Sequence, residues 1–142
     1  MVEKKEKMMT LSIGLSETKT YQVKAQDTAC AMGSGALEVL ATPALIAQME
    51  QVAWTSVQPY LEDGQGTVGT EISVSHLAPT PVGMTVRCIS RLCAVNGREL
   101  IFEIEAYDEM SLIARAIHKR FIIQNDRFMD KALRRKTMPK QD

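Results

Sequence analysis

The sequence predicts an α+β domain in which an antiparallel sheet of about five strands wraps around one long central helix. Three observations predict it. The segment Thr42 to Gln58 is apolar over most of a helical wheel, so it wants to be enclosed rather than laid on a surface. Four segments with strand-like alternation follow it with no helix between them, and one more precedes it. A lone strand, a long apolar helix and a run of strands can bury the helix and one sheet face together only if the sheet curls round the helix.

The first strand is expected over Met9 to Val23, because Leu11, Ile13 and Leu15 alternate with polar residues and Tyr21 and Val23 resume the pattern after an interruption near Ser16 to Lys19. Asp27 to Val39 carries Gly33-Ser34-Gly35 among small residues and reads as an irregular or mobile segment, with at most a short helix, suited to act as a lid. The helix starts at Thr42-Pro43: a threonine hydroxyl can accept from the orphan amides of a first turn, and proline at the first helical position loses no hydrogen bond. It runs to about Val57 with a polar stripe of Gln48, Gln51, Thr55 and Gln58, and Pro59 and the glycines of Glu62-Asp63-Gly64-Gln65-Gly66 end it. The strands that follow are Val68 to Leu77, Met84 to Ala94, Glu99 to Tyr107 and Leu112 to Ile123. Asn96-Gly97 predicts a tight hairpin turn and Asp108-Glu109-Met110-Ser111 another reversal, so the four read as an antiparallel meander. Asp126 to Arg134 forms a short amphipathic helix before a basic end. A sheet wrapped round a helix in this order is the arrangement called the hot-dog fold.

At 142 residues the chain is expected to be one domain over its whole length, 1 to 142. Its 17 basic and 17 acidic side chains cancel, which leaves no global field to favour nucleic acid or a membrane surface. The charged start, Met1-Val2-Glu3-Lys4-Lys5-Glu6-Lys7, leads into no apolar run of a signal peptide, and no stretch approaches the roughly 20 apolar residues of a membrane span. A cytoplasmic protein is expected, with no nucleic-acid or membrane partner. Cys30, Cys88 and Cys93 are odd in number and lack metal-ligand spacing, so they read as buried free thiols.

Two ionisable residues interrupt this pattern. Glu50 falls between Val57 and Trp54 on the helical wheel, away from the polar stripe. His76 ends the alternating run Val68, Thr70, Ile72, Val74, and points the way the valines do, opposite to Thr67, Gly69, Glu71, Ser73 and Ser75. Burying one ionisable group without a partner is costly, so two of them in neighbouring elements point to a shared polar site.

The stretch His76-Leu77-Ala78-Pro79-Thr80-Pro81-Val82-Gly83-Met84-Thr85-Val86 resembles a thioesterase of the hot-dog superfamily, where a strand ends, turns through a proline and glycine step, and a new strand begins. Ala41-Thr42 through Met49-Glu50 to Trp54, then Pro59-Tyr60-Leu61 and Gly66-Thr67-Val68-Gly69-Thr70, resemble the fluoroacetyl-CoA thioesterase family in particular. The resemblance spans roughly residues 39 to 124 and includes Thr42, Glu50 and His76 in the family's order and spacing. It implies a Thr-Glu-His catalytic set acting on an acyl-CoA thioester, in a homodimer whose sites lie at the subunit interface, with no metal and no cofactor apart from the coenzyme A of the substrate. Carried over, Thr42 is the hydroxyl, Glu50 the carboxylate and His76 the imidazole. Gly69 matches a glycine whose amide approaches the thioester carbonyl, and Arg120, in His118-Lys119-Arg120-Phe121, matches a basic residue near the CoA portion. The chain departs from the family at the lid, where fluorine-selective members place an aromatic and this sequence has Ala36 after Gly33-Ser34-Gly35. The resemblance therefore carries over thioester hydrolysis without selectivity for fluorine.

Thioester hydrolysis needs a nucleophile, a way to move a proton and donors for the oxyanion. Glu50 could be a general base toward water or a nucleophile through a mixed anhydride. His76 could orient that carboxylate, pass a proton to the departing thiolate or polarise the carbonyl. Thr42 is explained as a cap whichever role it has in catalysis, Gly69 equally well by a strand bulge, and Trp54 by a core or dimer interface. The tail charges Arg134, Arg135 and Lys136 read by default as solvated. The expected function is hydrolysis of a short or small acyl-CoA thioester to carboxylate and free CoA. A catalytically silent acyl-CoA binding or sensing module on the same scaffold is the alternative, and a hydratase or dehydratase ranks below both.

Overall fold

The computed structural model describes residues 11–140. The elements in order are β1 (Ser16–Gln22), α1 (Ala29–Met32), α2 (Thr42–Val57), β2 (Gln65–His76), β3 (Thr85–Asn96), β4 (Glu99–Tyr107), β5 (Leu112–Gln124) and α3 (Asn125–Arg134). The five strands make one antiparallel sheet in the order β1-β3-β4-β5-β2. Only β3, β4 and β5 form the expected meander; β2 crosses over to pair with β5 at one edge, and β1 pairs with β3 at the other. The curl explains the crossover, since bringing β2 to the far edge lets the sheet enclose the helix from both sides.

The core is the space between α2 and the concave sheet face. Leu45, Met49, Val52 and Val57 of the helix are fully buried, and Val86, Cys88, Leu92, Leu100, Phe102 and Ile113 meet them from the sheet. Each such aliphatic side chain contributes about 1.5–3 kcal/mol when taken from water. The helix bounds agree with the sequence, but its polar stripe is rotated. Gln48 is buried, and the solvent side runs through Ala47, Gln51 and Trp54, the last 39% exposed. Gln51 stays outside because Tyr21 on β1 donates a 2.7 Å hydrogen bond to its side chain.

Differences elsewhere have local causes. Leu11 to Leu15 form a turn and not a strand, and β1 runs without interruption through Ser16 to Lys19; Met9 and Thr10 lie outside the described residues. Asn96-Gly97 makes the expected turn, with Gly97 at φ 63°. The segment after Asp27 contains α1, ended by Gly33 at φ 73°, and is stitched to its surroundings. Ala29 N–H donates to the Val39 carbonyl, Ala41 N–H to the Asp27 carbonyl and Leu40 N–H to the Thr80 carbonyl. Of the cysteines, Cys88 is buried, with its thiol pushed up to about 12 by desolvation, Cys93 is half-buried, and Cys30 is exposed, contrary to the expectation for all three.

Candidate active site

The stitching between Leu40 and Thr80 decides the first contact. It pins the residues before α2 to the turn after β2, which sets the first residue of the helix beside the last residue of the strand. Thr42 Oγ1 and His76 Nδ1 are hydrogen-bonded at 2.8 Å. Thr42 was expected to cap the helix, but Ala41 is the residue with extended backbone before the first turn (φ −72°, ψ 142°), no side chain caps there, and Pro43 lies inside the first turn. One position further in, the hydroxyl points away from the orphan amides and is free for the imidazole. Burial pushes His76 below the usual histidine range, the Ala78 backbone opposing this in part, so the ring is neutral at pH 7. Its Nε2 is buried and makes no hydrogen bond of good geometry.

The second contact lies two turns along the helix. At about 1.5 Å per residue, Glu50 is about 12 Å from Thr42 along the axis, and α2 runs opposite to β2, so Glu50 meets Gly69 as Thr42 meets His76. A Cβ built on Gly69 would stand 2.9 Å from Glu50 Oε2, 3.2 Å from Arg120 Nη1 and 3.2 Å from the His118 ring. Bare backbone is what lets the carboxylate lie this close. Glu50 Oε2 faces Arg120 Nη1 at 3.7 Å, with the carboxylate side chain 40% exposed and the guanidinium side chain 8% exposed.

A bulge brings Gly69 to this place. The β2·β5 register shifts between Gly69 and Glu71, so Thr70 is the extra residue. Each residue before the bulge changes faces relative to the alternation read from the sequence. Ile72, Val74 and His76 keep the inward phase, but Thr67 and Gly69, expected outside, turn in, and Thr70 turns out to donate to the Lys119 carbonyl at 3.2 Å. The inward Thr67 accepts from Arg120 Nε at 2.8 Å through its hydroxyl and from Nη2 at 3.0 Å through its carbonyl. Burial lowers the guanidinium pKa and Glu50 opposes that change; arginine nevertheless stays charged.

His118 belongs to the same cluster and was not singled out from the sequence. It is 1% exposed, its Nδ1 lies 2.8 Å from the Glu71 carbonyl and its Nε2 3.1 Å from Arg120 Nη1. The signal was available: Ala114, Ala116, His118, Arg120 and Ile122 alternate inward along β5, which puts two polar side chains on the core face two residues apart. The five expected site residues thus fall into two groups on the α2·β2 seam, Thr42 with His76 and Glu50 with Gly69 and Arg120. No hydrogen bond within the chain joins His76 to Glu50. Among the described residues, no cluster of three or more His, Cys, Asp or Glu side chains is placed to hold a metal ion.

Comparison with known proteins supplies the context. The family described as fluoroacetyl-CoA-specific thioesterase matches residues 23–126. A fluoroacetyl-CoA thioesterase of Streptantibioticus cattleyicolor is 39% identical over 100 residues, covering 70% of this chain and 71% of that protein. A mutant of the fluoroacetyl-CoA-specific thioesterase, solved in complex with fluoroacetate and CoA, superposes with a TM-score of 0.80 at 32% identity, over 83% of this chain and 99% of that one. A thioesterase superfamily member from Thermus thermophilus superposes with a TM-score of 0.84 at 25% identity, over 92% and 96% of the two chains.

Proposed function

Because the chain belongs to the fluoroacetyl-CoA-specific thioesterase family and is an acyl-CoA thioester hydrolase, we propose that Thr42, Glu50 and His76 carry the reaction, on a short or small acyl group. The observation that carries this reading is the closeness of Glu50 to Gly69. A carboxylate held against bare backbone, beside a buried guanidinium, is an arrangement suited to attack on a carbonyl or on the water that attacks it. The Thr42–His76 pair supplies a neutral imidazole whose unpartnered Nε2 can serve the thioester carbonyl or the departing thiolate. Gly69 offers its amide to the thioester carbonyl, and Arg120, matched by the resemblance to a residue near the CoA portion, faces the Glu50 carboxylate.

The working unit in this reading is a homodimer. β2 is an edge strand of 12 residues with one side of its ladder unpaired, and a long open edge invites a second strand. Antiparallel pairing of two copies of β2 centred on Ser73, with Thr70 as the bulged residue, sets His76 of one chain opposite Gly69 of the other. The Thr42–His76 pair then faces the partner's Gly69 and Glu50, which joins the two groups that a single chain keeps apart. Cytoplasmic action agrees with three free cysteines, two of them within β3. Among the described residues no helix is long and apolar enough to cross a membrane.

The test is release of free CoA from a panel of acyl-CoAs. Glu50→Gln and His76→Ala are each expected to lose about 10²–10⁴-fold in turnover; retention within a few-fold would remove them from the site. Co-expressed Glu50→Gln and His76→Ala chains are expected to regain activity, since a mixed dimer holds one complete site. Two inactive parents whose mixture stays inactive would place the whole set within one chain.

A further inference from the structure

The hydrogen bonds around His118 leave it one protonation state. Its Nδ1 lies 2.8 Å from the Glu71 carbonyl, which can only accept, so Nδ1 carries the proton. Its Nε2 lies 3.1 Å from Arg120 Nη1, and a guanidinium can only donate, so Nε2 carries a lone pair. A protonated ring would set an N–H against an N–H of an adjacent cation, inside a core where the ring is 1% exposed and packs 6.2 Å from the Phe102 ring. Burial, first among the causes, pushes His118 below the usual histidine range, and Arg120 pushes the same way; the Glu71 carbonyl and Glu50 pull upward. The charged and polar groups facing it are Glu50 from α2, Arg120 on its own strand and the Glu71 carbonyl from β2.

We propose that His118 is a positioning residue for the thioesterase site: its Nε2 lone pair holds the Arg120 guanidinium at the angle that faces Glu50. Three attachments fix that guanidinium. Nε and Nη2 donate to the hydroxyl and the carbonyl of Thr67, and Nη1 donates to His118. Thr67 alone anchors one edge of the planar fork and would let it swing. The His118 lone pair takes the other end, at the nitrogen that lies 3.7 Å from Glu50 Oε2. The bulge contributes as well, since the register shift between Gly69 and Glu71 falls where the Glu71 carbonyl accepts the hydrogen bond from Nδ1–H. His118 touches no reacting atom, and its effect on chemistry passes through Arg120 to the carboxylate. The inference rests on the proposed role of Glu50.

Two measurements test it. The first is the tautomer in the wild-type protein, by long-range ¹H–¹⁵N spectroscopy. There are only two histidines, and a His76→Ala variant assigns the other ring. His118 is expected to keep Nδ1 protonated and Nε2 bare across about pH 5.5–8; an Nε2–H ring, or an imidazolium at neutral pH, overturns the proposal. The second is a substitution series with folding checked by circular dichroism. Gln can place an acceptor where Nε2 was, Asn can restore only the donor to Glu71, and Phe fills the volume with neither. The expected order of kcat is Gln above Asn and Phe, with Phe lower than wild type by on the order of tenfold or more and KM within about threefold, as for an interaction felt mainly in the transition state. If His118 served packing alone, Phe would be the mildest change in this apolar setting. A folded Phe variant with wild-type kcat, or Gln and Asn equally impaired, overturns the proposal. Absence of CoA release by the wild type would strike the thioesterase reading instead, and the spectroscopy would still judge His118.

Discussion

Replacing Gly69 by Ala crowds the Glu50 carboxylate most closely while leaving every polar group of the site in place. The added Cβ would lie 2.9 Å from Glu50 Oε2, where ordinary contact begins at 3.4 Å, so the carboxylate must retreat by about half an ångström. The backbone amide of residue 69 is retained, which means that any loss cannot come from a missing oxyanion donor. Gly69 is absent from the glycines with positive φ, so alanine brings no backbone strain, and a stiffer unfolded chain is worth about 0.4–1 kcal/mol in its favour. Oε2 is the far end of a flexible side chain and retreats cheaply, while Arg120 Nη1 and the His118 ring, each 3.2 Å from the new Cβ, have to give by about a further 0.2 Å, a cost that the stiffer unfolded chain offsets in part. Catalysis is less tolerant. If a 1 Å misplacement of a reacting group costs roughly 10²-fold, half of that costs on the order of tenfold, or about 1.4 kcal/mol of barrier. Gly69→Ala is therefore expected to unfold within about 1 kcal/mol of wild type in a thermal melt while losing roughly tenfold in kcat with KM little changed. The assay is continuous detection of free thiol from an acyl-CoA that the wild type turns over. Full activity at unchanged stability would refute the reasoning, because the carboxylate would have tolerated a displacement that the proposed chemistry forbids.

Thr42→Ala removes the 2.8 Å partner of His76 without removing a helix cap, so stability is expected to change by less than the ~1 kcal/mol of a lost cap while turnover falls. Thr42→Ser, which keeps the hydroxyl, is expected to retain most of the activity, and a large drop in melting temperature for the Ala variant would restore the capping explanation. Stability should also fall on acidification. His76 and His118 both have folded-state pKa values below the ordinary histidine value, so the unfolded chain binds more protons, and stability present above about pH 6.5 is lost as pH drops toward the folded values. The limiting slope is about 1.4 kcal/mol per pH unit for each ring, smaller for the partly exposed His76. Thermal melts between pH 7.5 and about 5 measure it, and His118→Gln is expected to flatten the curve; a flat wild-type profile would contradict the neutral assignment of both rings.

Much of the fold was legible because its strongest signals are local. The apolar wheel from Thr42 to Val57 and the alternation from Glu99 to Tyr107 ended where the structure ends them, and Asn96-Gly97 made its turn. Glu50 and His76 stood out because each broke a local pattern. Three features of the candidate site escaped that reasoning. The phase of β2 before Ile72 was inverted by one bulged residue, since a period of two assigns every side chain from a single reference and an insertion reverses all those beyond it. The role of Thr42 was mistaken by one helical position, because capping depends on the dihedral angles of Ala41 and not on residue type. His118 shares the inward phase of β5 with Arg120, but its partner, the Glu71 carbonyl, is set by the bulge of a strand distant in sequence, which no pattern within β5 reveals.

The sequence by itself determined which elements form, the enclosed helix, and the two misplaced ionisable residues Glu50 and His76, with Thr42 joined to them only by the family resemblance, because periodicity, turn residues and misplaced ionisable groups are properties of a chain read in one dimension. Only the tertiary structure decided which of them meet. The stitching of Leu40 to Thr80 put Thr42 on His76, and the bulge at Thr70 put Gly69 under Glu50 with Thr67, His118 and Arg120 behind it. Those contacts join residues tens of positions apart, and their distances follow from the curl of the sheet, the register of β2 on β5 and the direction of α2 along β2, none of which is written in any local pattern.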